Sequence, residues 1–230
     1  MIIPVAAIGL TLAGTAAHGA FHRNSRVFGS VLGSLPEADH NVALTFDDGP
    51  NPDATPRILD ALGEHGVKAT FFVLGAHAER WPDLVKRVVD EGHQIGNHGY
   101  FHKKLHLKSP FYVRRDIALG KRAIERAGGD SPRFFRAPHG FRSPWVTAIA
   151  QSFGERTIGW SLGVWDSDRP GVKAIVDRTI NGAKPGSIIL LHDGDGYNIN
   201  GDRSQTAAAV PEIISGLRDR GMKFVTLPAQ

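Results

Sequence analysis

Beyond residue 40 the chain alternates between two hydrophobic rhythms. Short apolar runs rich in β-branched and aromatic residues fall at positions 42–46, 69–74, 94–97, 133–136, 156–160, 187–191 and 223–227, and each reads as a strand. Between them, helical patterns cover 55–64, 82–91, 109–127, 144–153, 172–181 and 205–220, with Pro or Ser/Thr near several starts and Gly after several ends. Such alternation predicts a parallel sheet, either open or closed into a barrel.

The polar residues at the strand ends decide between the two. Asp47 and Asp48 follow the first strand, His98 the third and His192 the sixth, while Arg136 ends the fourth. In a closed parallel barrel these carboxyl ends converge on one face. An open doubly wound sheet gathers its ligand at a switch point, usually with a Gly-rich phosphate loop, and the sequence carries none. The expected fold is α/β: a single-domain, distorted or incomplete (β/α) barrel, TIM-like, with about seven parallel strands.

The amino terminus follows neither rhythm. Positions 2–17 hold no charged side chain and resemble a signal-peptide core or a weak membrane anchor. No Lys or Arg precedes the run, Thr11 and Thr15 interrupt it, and Arg23 and Arg26 lie on its far side. Uncleaved, it would place the following domain in the cytoplasm by the positive-inside rule. Small residues at Ala17 and Gly19 would instead allow cleavage and export. A buried amphipathic helix packed on the domain is the third reading. The expected division is a hydrophobic segment and linker over 1–26 and a catalytic domain over 27–230, in the cell envelope as a membrane-anchored or secreted protein, with the cytoplasm as the alternative.

Composition narrows the chemistry. With 41% hydrophobic and 22% charged residues, the chain is neither disordered nor a multi-span membrane protein. It has no cysteine, so a metal must be held by oxygen and nitrogen. The net charge of +4 would favour an anionic partner, but no Lys/Arg block interleaves with aromatics, so nucleic acid is not expected.

Two clusters remain that carry chemistry. At a strand end followed by Gly49-Pro50 the chain turns, so Asp47 and Asp48 can reach one pocket. One carboxylate would then bind a cation while the other acts as general base on a water whose pKa the cation lowers. The plain alternative is an Asp-Asp-Gly-Pro surface turn. His98 and His102, four apart, would share one face of a helical turn and converge on a single ion. Each cluster alone is weak in a chain with 11 histidines, but both at strand ends is the set a hydrolytic metal site needs.

Four motifs stand in order: Thr45-Phe46-Asp47-Asp48-Gly49-Pro50, Gly92-His93-Gln94-Ile95-Gly96-Asn97-His98 with His102, Arg136-Ala137-Pro138-His139-Gly140, and Leu191-His192-Asp193. Together they resemble the polysaccharide deacetylase family (NodB-like, carbohydrate esterase family 4), from about residue 27 to 228. The resemblance implies that Asp48, His98 and His102 bind a divalent ion, usually Zn2+, with Co2+, Ni2+ or Mn2+ as alternatives. It makes Asp47 the catalytic base, Arg136 the partner that holds it, His192 the general acid and Asp166 the carboxylate that tunes this histidine. A backbone N–H near His139 would help hold the substrate carbonyl, with Gly140 and Trp165 as further substrate contacts. His93, Trp160 and Phe71 are assigned to packing.

Three departures from the family pattern matter. Gly99 stands where Ser or Thr usually steadies the metal loop, so a more mobile loop is expected. His139 replaces an aromatic, often Tyr. A further family motif, between the third and the last of the four, reads Gly163-Val164-Trp165-Asp166-Ser167 instead of Asp-x-x-Asp-Trp, which loosens the assignment of Asp166 and removes the usual aromatic wall unless Trp165 replaces it. The implied activity is metal-dependent removal of N-acetyl groups from an N-acetylglucosamine-containing glycan, such as a chitooligosaccharide, peptidoglycan or an exopolysaccharide. The rivals are an O-acetyl esterase on xylan or another acetylated glycan, an inactive carbohydrate-binding homologue and, last, a basic interaction protein. The expected partners are the acetylated glycan and, through residues 2–21, a membrane; oligomeric state is not readable.

Overall fold

The computed structural model describes residues 5–36 and 39–228, so positions 1–4 of the apolar segment fall outside the described residues. In chain order the elements are α1 (Val5–Phe21), β1 (Asn41–Asp47), α2 (Ala54–Glu64), β2 (Thr70–Val73), α3 (Gly75–Arg80), α4 (Pro82–Asp90), β3 (Gln94–Asn97), α5 (Pro110–Arg126), β4 (Phe134–Phe135), α6 (Val146–Ser152), β5 (Arg156–Thr157), β6 (Leu162–Gly163), α7 (Val172–Gly182), β7 (Ile188–His192), α8 (Ser204–Asp219) and β8 (Lys223–Phe224). All strand pairs are parallel, in the order β5-β4-β3-β2-β1-β7-β6, with β8 beside the start of β1.

β5 and β6 lie at opposite edges of this sheet, yet only residues 158–161 separate them. Such a link spans no more than roughly 17 Å, so the sheet must curl until its edges nearly meet. The gap is filled from the chain ahead of β1. Leu32 donates to Thr157 O at 3.1 Å and accepts from Gly159 N at 2.8 Å, and Ser161 N reaches Ile188 O on β7 at 3.1 Å. The result is the expected incomplete barrel. Its expected fifth strand, 156–160, ends at Thr157 because the following residues cross this seam.

Side-chain alternation along the strands sorts the core into layers. On β1, Val42, Leu44 and Phe46 face outward, into the cluster made with Ile58, Leu59 and Leu62 of α2 and Ile213, Ile214 and Leu217 of α8. Ala43 faces inward with Phe72, Phe134, Ile158, Ile188 and Leu227. Each such large apolar side chain contributes roughly 1.5–3 kcal/mol by burial. Summed over the sheet this far exceeds what a few polar contacts at the mouth cost, which lets the barrel carry buried charges there. Helix α5 starts as its sequence suggests: Pro110 occupies the first turn and the Ser109 hydroxyl accepts from Tyr112 N at 3.3 Å.

Helix α1 departs from one expectation. Residues 12–18 are exposed, so the reading as a buried amphipathic helix packed on the domain does not hold. Its carboxyl end is seated, with Arg142 N donating to Ala20 O at 3.0 Å. Among the described residues no helix is long and apolar enough to cross a membrane.

Candidate active site

The inward rhythm of β1 that places Ala43 in the barrel also places Thr45 and Asp47 there, at the carboxyl end. In the parallel register Asp47 lies beside His192 of β7. Two strands thus deliver a carboxylate and an imidazole to the same rim, above a cavity of about 580 Å³. At Asp48 the backbone leaves the strand with φ +71°, and a cis Gly49-Pro50 bond follows. Both carboxylates therefore face the cavity, as expected.

Arg136 comes from the end of β4 and is fully buried. Its Nη1 donates to Asp47 Oδ1 at 2.7 Å and to Thr45 Oγ1 at 2.9 Å, and Nη2 donates to Gly159 O at 2.9 Å. The guanidinium lies 4.0 Å from the centre of the Phe72 ring, inside the barrel. Burial lowers its pKa from the ordinary value, and the Asp47 carboxylate opposes that. An arginine remains charged regardless.

Asp48 Oδ1, His98 Nε2 and His102 Nε2 form a group whose ligand atoms all lie within 4.8 Å of one another. The carboxylate oxygen is 3.3 Å from His98 Nε2 and 3.1 Å from His102 Nε2, yet has no hydrogen-bond partner among the described residues. Three buried donor atoms thus aim at one point without bonding each other, as expected of ligands awaiting a cation. His98 Nδ1–H donates to Arg136 O at 2.9 Å, which fixes its tautomer and leaves Nε2 free. Burial would raise the Asp48 carboxyl, but the two imidazoles hold it well below its ordinary value. The donor set fits a divalent metal.

The helical turn expected to carry the two histidines is absent. His98 and His102 sit on a loop because Gly99 (φ +79°) and His102 (φ +52°) adopt left-handed conformations that end any helix. The loop is nonetheless tied down. Asn97 Oδ1 accepts from Gly99 N at 2.9 Å, and the buried Asp116 carboxylate of α5 accepts from Tyr100 N at 3.3 Å and Phe101 N at 3.2 Å. A side chain at position 99 would collide with Asp116. The hydroxyl missing at Gly99 is thus replaced by a carboxylate from another element. Asn97 is itself held, its Nδ2 donating to Ile117 O and to both oxygens of buried Glu155.

Opposite this group stands His192. Its Nδ1–H donates to Asp166 Oδ1 at 2.9 Å, while Asp166 Oδ2 accepts from His192 N at 2.8 Å and from Thr206 Oγ1 at 2.9 Å. Burial pulls the imidazole down, but Asp166 outweighs it and the pKa rises to about 9. The same pairing overcomes burial at Asp166 and lowers its carboxyl. Asp166 is buried and paired with His192 despite the altered Gly163–Ser167 motif.

Of the remaining expected residues, His139 and Trp165 line the mouth, while Gly140 is buried beside it. His139 (φ +61°) presents its ring 4.7 Å from His102 and its Nε2 2.7 Å from the Tyr197 hydroxyl. Burial and then the neighbouring imidazoles push its pKa down to about 4. Gly140 packs beneath Trp160, where any side chain would clash. Trp165 is 68% exposed on the far wall. Trp160, assigned to packing from sequence, also lines the cavity and lies 5.7 Å from Arg136. Sequence reasoning missed Tyr197, Thr206, Asp116 and the segment Phe21-His22-Arg23, none of which has periodicity or motif spacing to mark it.

Two imidazoles and a carboxylate converging on one point, a second carboxylate locked to a buried arginine, and an imidazolium across the cavity make a metal-dependent hydrolase on a parallel barrel. A family profile described as polysaccharide deacetylase matches residues 35–158, and the chain belongs to that family. It is 43% identical over 194 residues to a chitooligosaccharide deacetylase of Sinorhizobium fredii, covering 82% of this chain and 90% of that one. A peptidoglycan-N-acetylglucosamine deacetylase of Bacillus cereus is 40% identical over 204 residues, covering 86% and 92%. Among solved structures, a peptidoglycan N-acetylglucosamine deacetylase superposes with a TM-score of 0.81 at 37% identity, covering 86% of this chain and 91% of that one.

Proposed function

We propose that this protein removes acetyl groups from N-acetylglucosamine-containing oligo- or polysaccharide, with Asp48, His98 and His102 holding Zn2+. The observation that carries the reading is the convergence of these three ligand atoms beside an Asp47 that Arg136 already occupies on one oxygen. When bound, the cation supplies Lewis acidity, acidifying the attacking water and polarising the acetyl carbonyl. Asp47, fixed by Arg136, takes the proton from that water through its free oxygen. His192, kept protonated by Asp166, gives a proton to the departing amine, so that acetate and a free amine leave. His139 and Trp165 line the part of the cavity where the acetamide would sit, with Gly140 packed behind them.

The relatives' named substrates support a setting in the cell envelope or outside the cell. Exposed residues 12–18 on an uncharged helix fit insertion of that part of the 1–26 segment in a membrane surface, its last residues packing on a catalytic domain over 27–230. Acetate release from N-acetylchitooligosaccharides and from acetylxylan, with and without chelator, tests the activity. Chelator-sensitive release from the chitooligosaccharides is expected. Release from xylan alone would assign an O-acetyl esterase, and binding without release an inactive carbohydrate-binding protein.

A further inference from the structure

The cavity has one wall that does not come from the barrel. Phe21, at the carboxyl end of α1, lines it while 56% exposed. Its ring meets Phe141 edge-on at 5.4 Å and His106 at 5.1 Å, and Phe141 meets His106 at 5.0 Å. Phe141 also stacks on His139 at 5.8 Å, and His139 lies 4.7 Å from the metal-ligand candidate His102. A continuous shelf of rings therefore runs from the centre of the site out to α1.

The shelf is held rigidly. The buried Arg142 donates to Ser25 O at 2.8 Å and His22 O at 3.2 Å, and the Arg23 guanidinium donates to Trp160 O at 2.8 Å while lying 5.3 Å from the Trp160 ring. Two arginines thus fix the backbone on either side of position 22, although burying the Arg142 charge without a carboxylate costs stability. An aromatic fixed beforehand loses little freedom on binding. Flat apolar rings on this wall, with the exposed Tyr197 hydroxyl nearby, suit a pyranose, which has an apolar C–H face and a rim of hydroxyls.

We propose that Phe21 and Phe141, with His106 at their edge, form a subsite for a sugar ring adjacent to the one being deacetylated, making the end of α1 part of the substrate-binding surface. The inference rests on the glycan reading given above. The test uses the zinc-loaded, full-length protein carrying Asp47→Asn to stop turnover, titrated calorimetrically with N-acetylchitooligosaccharides of one to five sugars. Adding Phe21→Ala is expected to weaken pentamer binding by roughly three- to tenfold, as loss of an aromatic contact does, while the monosaccharide is unaffected and Phe21→Trp restores the pentamer. Equal pentamer affinity with and without Phe21→Ala overturns the subsite, as does an equal loss for the monosaccharide. Should Phe141→Ala fail to fold, the half-exposed Phe21 still carries the test. Failure of the glycan reading is separate: it shows as no acetate release from any of these oligosaccharides by the zinc-loaded wild type.

Discussion

Two carboxylates at the barrel mouth, Asp47 and Asp166, each face a cationic side chain, and the pairs differ in what the cation can do. Arg136 keeps its proton at any pH the protein meets, so its pair with Asp47 is a fixed charge that orients and never exchanges. His192 titrates, so its pair with Asp166 is a proton store whose threshold the carboxylate sets. In the proposed mechanism, similar ion pairs of 2.7 and 2.9 Å serve opposite ends of one hydrolysis, and the identity of the cation decides which.

The sharpest way to break the comparison is to silence each side in turn. Asp47→Asn is expected to cut turnover by about a hundredfold or more, the usual loss for a removed general base, while elemental analysis still finds one zinc per chain. Normal acetate release would remove Asp47 from its role. Arg136→Met leaves the Asp47 charge buried and unpaired, and is expected to cost about 3–5 kcal/mol in chemical denaturation. A variant as stable as the wild type would mean that solvent, not Arg136, supports the carboxylate.

Asp166→Asn acts on the titrating side. The His192 value lies above the ordinary one, so the pair's contribution to stability is complete below about pH 6.5 and is lost as pH rises through about 9. Activity should follow the same protonated form, with an alkaline limb above neutrality. A bound dication offsets the smaller effects of Asp47 and Asp48 on His192 and leaves that of Asp166. Asp166→Asn should therefore move the alkaline limb of kcat/KM toward neutral pH. An unmoved limb would dissociate Asp166 from the acid.

A third buried carboxyl, Glu155, sharpens the contrast because it forms no ion pair among the described residues. Burial raises Glu155 to about 8, with the Asn97 amide only partly opposing. Since the folded value lies above the ordinary one, stability should decline between about pH 4.5 and 8 as the proton is lost. Glu155→Gln should melt like the wild type at pH 5 and be more stable by a few kcal/mol at pH 8. Parallel melting curves across that range would contradict a neutral Glu155. The smallest effect is expected from Thr206→Val, which deletes one hydrogen bond to Asp166 and should cost about 1 kcal/mol in thermal unfolding.

What the sequence disclosed follows the same physical divisions. Asp47, Asp48, His98, Arg136 and His192 were legible because strand periodicity places them at carboxyl ends, where a barrel brings them together. The helical turn for His98 and His102 was misread because a spacing of four is helical only if the intervening backbone allows it, and Gly99 does not. β6 and α3 carried too few residues for a rhythm. Asp116 and Thr206 reach the site from helices α5 and α8 and Tyr197 from the loop after β7, and no local periodicity announces such contacts. Phe21 was hidden within an apolar run that reads as a targeting segment.

Leu32 gives the seam a further meaning. Its partners, Thr157 and Gly159, lie more than half the chain away, so the cylinder cannot be zipped until most of the polypeptide is in place. Until then the early strands carry unsatisfied margins, and an early segment waits for one made much later before this seam can close.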